Sequence, residues 1–215
     1  MDPREVREKT VRDAKTALIL DAGMKVFAEK GFHGTRLEDI AAAAGFSKAA
    51  LYNYYDSKES IFLSLAVREY ERLYEKLRSQ VDPSQPLAVN LERALRAILE
   101  LCGEHFGLLL EVSDFHGTAG PDVAALAHEH AALAGDLRER FLRMESLFTG
   151  MMSAARARGE VGSPLSDRAL ASYVSAQIRG VMFQWKLAGR KGDIGGDVRD
   201  ALEFCLRGMR AGGAA

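Results

Sequence analysis

Two cysteines in 215 residues, Cys102 and Cys205, lie far apart in the chain. That argues against a disulfide framework and fits a reducing compartment. No apolar run reaches the roughly 18 residues that span a bilayer, so no membrane partner is expected. Met1 to Lys15 is highly charged and contains no apolar h-region, so no signal peptide is expected. Neither sign of charge is in excess: 29 Lys and Arg stand against 30 Asp and Glu, for a formal net charge of -1. Residues 1–60 hold 10 of each sign. Affinity for a polyanion would therefore come from the placement of charge and not from its sum. There is no internal repeat, no β-hairpin signature and no low-complexity block. No strand is predicted, so no Gly-rich phosphate loop follows one. These absences point to an intracellular, cytoplasmic location.

What remains is a chain that is 47% apolar and 27% charged, enough to bury a substantial core and too balanced for disorder. Helical periodicity runs through it. Residues 1–9 read as a charged arm, with Arg4, Arg7 and Lys9. Thr10 with Asp13 reads as a capping box opening a helix of about twenty residues. Ile19, Ala22, Gly23, Val26 and Phe27 form its apolar stripe, and Gly31 ends it with Phe32 folding back. A second long helix is predicted from Ser57 to about Gln80, apolar on most sides at Ile61 to Ala66. Pro83 and Pro86 bracket a loop. Further helices are predicted at Leu87 to Glu104, at Asp122 to Arg158 with a break near Gly135, at Ser166 to Ala188 and at Val198 to Met209. Gly189 to Gly196 reads as a glycine-rich turn.

Between the first two long helices lies the most tightly punctuated stretch, Thr35 to Lys58. Thr35 with Glu38 makes a capping box, and Leu37, Ile40, Ala41 and Ala44 share one helical face. Gly45 takes the stop position and Ser47 caps a second short helix. Leu51 and Tyr55 point to one side of that helix, leaving Lys48, Ala49 and Tyr52 on another. Ser57 caps the next helix. Two short helices joined by a tight turn make a helix-turn-helix, whose second helix would enter a DNA major groove.

Ile19, Ala22, Phe27, Gly31-Phe32, Thr35, Ile40-Ala41, Gly45-Phe46-Ser47, Leu51-Tyr52, Tyr55 and Ser57-Lys58-Glu59 together resemble the tetracycline-repressor (TetR) family of bacterial transcription regulators. The resemblance covers about residues 12–65. It implies an all-α fold with an N-terminal three-helix DNA-binding domain at 1–56, its charged arm included, and a helical effector-binding and dimerisation domain at 57–211. It implies that Ser47, Lys48 and Ala49 face the groove, that Tyr52 and Lys58 touch phosphates, that Tyr54 adds a further contact, and that Thr35 and Arg36 touch the backbone. Ala49 departs from the glycine common in the family. An alanine can meet a thymine methyl but carries no hydrogen-bond code, which leaves base reading chiefly to Lys48.

A single head covers too few base pairs for tight binding, so a homodimer on a palindromic double-stranded DNA operator is expected. The resemblance assigns the dimer bundle to the last two helices, where Ala176 and Gly180 permit close approach. It further implies a small-molecule effector among the helices of the second domain. Met and aromatic side chains suit an adaptable apolar pocket, and the candidates are Phe106, Phe115, Met144, Phe148, Met151, Tyr173, Gln177 and Trp185. His105 and His116 could add polar anchors. No catalytic residue, metal site or cofactor is expected. Cys102 with His105 lacks evident further ligands, and His128 and His130 point to different sides of a helix. The alternative reading is an architectural or partner-regulated DNA-binding protein without a small ligand.

Overall fold

The computed structural model describes residues 2–104, 128–189 and 192–210, of Glu104 and Lys186 the backbone only. Among the described residues there are helices and turns and no strand. They gather into two compact units: residues 2–68 with 128–137, and residues 69–104 with 138–189 and 192–210.

In the first unit, α1 runs Pro3–Gly34. It begins seven residues before the expected start at Thr10, because Asp2-Pro3-Arg4-Glu5 is itself a complete start signal. The Asp2 carboxylate accepts from the Arg4 N–H at 3.0 Å, and Glu5 accepts from the Asp2 N–H at 3.3 Å. Pro3 sits at the first helical position, where its missing N–H costs nothing. The charged arm of the sequence reading is therefore helical. Thr10 instead sends its hydroxyl back to the Val6 carbonyl at 2.8 Å. The apolar stripe is buried as expected, with Ile19 and Phe27 almost wholly so. Gly23 lets Ile61 approach: a Cβ built there would meet the Ile61 Cγ2 at 3.0 Å.

The end of α1 is held by aromatic packing. Gly31 turns out of helical geometry at φ 69, and Phe32 folds back onto Phe27 and Phe62, with ring centroids 5.9 and 4.9 Å away. After α2 (Leu37–Ala43) and α3 (Lys48–Leu51), α4 runs Lys58–Gln80. Ser57 caps it, its hydroxyl accepting from the Ser60 N–H at 3.1 Å. Ile61, Phe62, Leu63, Leu65 and Ala66 are all buried, which accounts for the run of apolar residues on nearly every side of that first stretch. Residues 58–68 of α4 belong to the first unit and 69–80 to the second.

The second unit contains the rest of α4, then α5 (Leu87–Glu104), most of α6 (Ala131–Ala157), α7 (Asp167–Ala188) and α8 (Ile194–Met209). Gly135 does not break α6. Instead the helix passes through it, since a single glycine costs only about 1 kcal/mol of helix propensity. The core is made by Leu91, Leu95 and Leu99 of α5, Phe148 and Met152 of α6, Val174 and Trp185 of α7, and Val198 and Cys205 of α8. Arg156 ties the α6–α7 connection together through the Asp167 carboxylate at 2.7 Å and the carbonyls of Ser163 and Leu165. α8 starts inside the expected glycine-rich turn because Asp193 accepts from the N–H groups of Gly195 and Gly196, each at 3.1 Å.

Candidate nucleic-acid interface

The head is built from α2, the turn at Gly45 and α3. Leu37, Ile40, Ala41 and Leu51 are buried and fix the back of both short helices. Gly45 has φ 73, and the Phe46 N–H then returns to the Ala41 carbonyl at 2.9 Å. Ser47 caps α3, its hydroxyl accepting from the Ala50 N–H at 3.1 Å. This geometry leaves Ser47, Lys48, Ala49 and Tyr52 on the exposed side, with Tyr52 50% exposed. Tyr55 faces the other way, and burial raises its hydroxyl pKa above the ordinary value.

The start of α2 differs from the expectation by one residue. Arg36 is the N-cap, and its N–H donates to the Asp39 carboxylate at 2.9 Å. Thr35 is displaced from that role into the C-cap of α1, where it is 2% exposed. Its hydroxyl donates to the Gly31 carbonyl at 2.7 Å, and its N–H to the Phe32 carbonyl at 3.3 Å. Expected at the DNA backbone, Thr35 is thus a buried joint between α1 and α2, while Arg36 is exposed.

Lys58 also has an internal role. Its ammonium donates to the carbonyls of Phe32 and Thr35 and lies 4.6 Å over the Phe32 ring. Two of the donors that the resemblance assigned to phosphate hold the end of α1, which leaves one N–H. Tyr54 is half-buried, edge-on to Phe46 and beneath the guanidinium of Arg12, 5.7 Å from the ring centre. Lys48 pairs with Glu38 of α2 and lies 6.0 Å from the Tyr52 ring centre. The bond from Lys48 is the chief reason the Glu38 carboxyl sits below its ordinary range, and Glu38 in turn raises Lys48. The pairing of Glu38 with Lys48 and the contact of Arg12 with Tyr54 escaped the sequence reading because both act across helices, and no spacing within one helix reveals them.

Of the effector candidates, Met144, Phe148 and Met151 are buried along α6. Trp185 is buried and donates to the Asp197 carboxylate at 2.8 Å. Gln177 is half-buried, whereas Tyr173 stands 57% exposed on α7. Phe106, Phe115, His105 and His116 lie outside the described residues. In the second unit a groove of about 390 Å³ is lined by Tyr74, Val81, Asn90, Arg143, Leu147 and Met151, among others. Arg143 stacks on Tyr74 at 4.2 Å and bonds Glu71 at 3.0 Å.

The chemistry of the described residues is otherwise quiet. Burial pushes the Cys102 thiol up to about 12 and Cys205 up to about 11, so neither is a thiolate at neutral pH. His130 lies 3.3 Å from the Ser57 hydroxyl. Among the described residues no group of three or more His, Cys, Asp or Glu is placed to hold a metal. No described helix is long and apolar enough to cross a membrane.

Comparison with known proteins agrees with this geometry. A family model for bacterial regulatory proteins of the tetR family matches residues 19–65, the stretch from the stripe of α1 to the start of α4. The fatty acid metabolism regulator protein of Bacillus subtilis is 23% identical over 195 residues, covering 89% of this chain and 93% of its own. The transcriptional repressor BepR of Brucella suis is 29% identical over 184 residues, covering 81% of each. The crystal structure of the regulator FadR from Bacillus subtilis in complex with stearoyl-CoA superposes with a TM-score of 0.74 at 19% identity, covering 90% of this chain and 99% of that one. These relatives are regulators. Residues 19–65 thus match the DNA-binding head of the tetracycline-repressor (TetR) family of bacterial transcription regulators.

Proposed function

We propose that this regulator is a ligand-responsive repressor that binds a palindromic operator as a homodimer and is released by a small-molecule effector. One observation carries the DNA-binding reading. α3 is pinned from behind by fully buried Leu51 while Ser47, Lys48, Ala49 and Tyr52 stand clear on its other side. In this reading Lys48 and Ala49 meet base edges. Tyr52 and Arg36, with Tyr54 and the remaining N–H of Lys58, fix register on phosphates. The DNA-binding domain is residues 1–56, and residues 57–211 serve effector binding and dimerisation. α4 is the continuous helix joining the two roles, and an effector that prefers one of its positions would shift the population of heads able to bind.

Homodimerisation is supported by Tyr173, Phe183 and Leu187 of α7 and Phe204 of α8. All four are large apolar side chains more than half exposed in the single chain. Gly180, with open space where a Cβ would stand, permits close helix approach on the same element. Met144, Phe148, Met151 and Trp185 are the buried effector candidates, and Met151 also lines the groove. The fatty-acid regulator among the relatives and the stearoyl-CoA-bound fold neighbour support long-chain acyl-CoA as the first effector class to test. The ligand-free architectural alternative is less favoured, because these relatives are regulators.

The test is a gel shift on a duplex selected by the protein from a random library. The expectation is that Tyr52→Phe with Lys48→Ala weakens binding at least tenfold, and that palmitoyl-CoA or stearoyl-CoA at micromolar concentration releases the wild-type complex. Unchanged binding by that double variant would remove the α3 assignment. Unchanged binding with every acyl-CoA would remove that effector class.

A further inference from the structure

Lys48 opens the proposed reading helix, yet its ammonium is already partnered by the Glu38 carboxylate. The two side chains are 53% and 52% exposed, so solvent and DNA can both reach the pair. Of the two acids in the first turn of α2, Glu38 is the one that reaches Lys48. Asp39 is held elsewhere, by Lys30 at 2.8 Å and the Arg36 N–H at 2.9 Å.

We infer that Glu38 is a specificity-determining residue that withholds Lys48 from phosphates and yields it to a neutral base edge. This inference rests on the proposed placement of Lys48 against the groove. Non-specific binding comes almost wholly from cations neutralising phosphates. A lysine already paired with a carboxylate brings no net charge to that encounter, and a phosphate approaching it also meets the negative Glu38. Guanine O6 and N7 are uncharged acceptors and meet no such repulsion. An exposed ion pair is weak enough for such an acceptor to displace. Glu38 therefore lowers the background on random DNA more than it lowers binding at the right site.

Fluorescence anisotropy with two probes tests this: a 30-base-pair mixed-sequence duplex, and the duplex selected from a random library by the wild-type protein. Glu38→Gln is expected to bind the mixed-sequence duplex about fivefold tighter, with the slope of log affinity against log salt steeper by about one for each head. Affinity for the selected duplex should change by less than about twofold, so the ratio between the two falls. In a Lys48→Ala background the gain from Glu38→Gln should disappear. Glu38→Ala, which keeps helix propensity, provides a second variant should the glutamine perturb α2. An unchanged ratio in both variants overturns the inference, as does a gain that persists without Lys48. If Lys48→Ala alone binds the selected duplex as tightly as wild type, the placement of Lys48 has failed as well.

Discussion

Lys58 donates to the Phe32 carbonyl at 2.9 Å while its ammonium lies 4.6 Å over the ring of the same residue. A second bond, to the Thr35 carbonyl at 3.0 Å, closes the clamp. One lysine thus satisfies carbonyls at the end of α1, where a helix leaves acceptors unpaired and favours positive charge. It also fastens the start of α4 to the joint that launches α2. Lys58→Ala is expected to destabilise the protein by about 1–2 kcal/mol, the scale of losing charge-assisted hydrogen bonds in a half-buried site. Thermal unfolding measures it. A variant that melts like wild type while losing DNA affinity would make Lys58 a phosphate ligand alone.

Gly45 lies in the left-handed region at φ 73, and nothing stands within 4 Å of where its Cβ would be. The site is thus open in space and restricted only in backbone conformation. Gly45→Ala should cost about 1–2 kcal/mol, or roughly 2–8 °C in melting temperature for a chain of this size. Gly45→Asn should recover part of that, since asparagine tolerates this conformation better. Equal melting of the alanine variant and wild type would show that the turn readjusts without the left-handed residue.

Much of the head was legible because its signals are local. The Ser47 cap, the Gly45 stop and the buried positions Leu37, Ile40, Ala41 and Leu51 follow from spacing within about fifteen residues. The misreadings have physical causes. Thr35 with Glu38 and Arg36 with Asp39 are rival starts one residue apart, and packing of Thr35 beneath Gly31 decides between them. Residues 1–9 read as a charged arm, although Asp2, Pro3 and Glu5 form a local helix-start signal. The second role of Lys58, at the end of α1, is hidden from spacing because its carbonyl partners lie 26 and 23 residues away. Glu38 and Lys48 meet only once two helices have been set at an angle, which no periodicity encodes.

Asp39 supports a pH prediction. Its carboxyl is held below the ordinary value of 3.8, first by the bond from Lys30 and then by the Arg36 N–H. A folded value below the unfolded one means that the unfolded chain binds the proton more readily. The carboxylate therefore stabilises the fold above pH 3.8, and that contribution is lost as pH falls through the lower folded value. Asp39→Asn should melt earlier than wild type at pH 7, and the difference should shrink as pH falls below 3.8. Melting curves from neutral into acid check it. A difference that does not change as the pH is lowered would locate the effect in something other than ionisation.

The exposed apolar residues of the last two helices give the final prediction. Leu187 is 73% exposed, with Phe183 four residues before it at 59%, on the side of α7 that its own unit leaves uncovered. Residues that far out of the core can be charged without opening a cavity, so Leu187→Glu should leave monomer stability within about 0.5 kcal/mol. In a two-fold interface the substitution enters twice and sets two carboxylates into an apolar contact. Sedimentation velocity should show wild type as a dimer and Leu187→Glu shifted to monomer at the same micromolar concentration. Helical circular dichroism should be retained. DNA affinity should fall with the dimer, because the two heads would then have to bind their half-sites separately. A Leu187→Glu protein that stays dimeric would move the interface away from this part of α7.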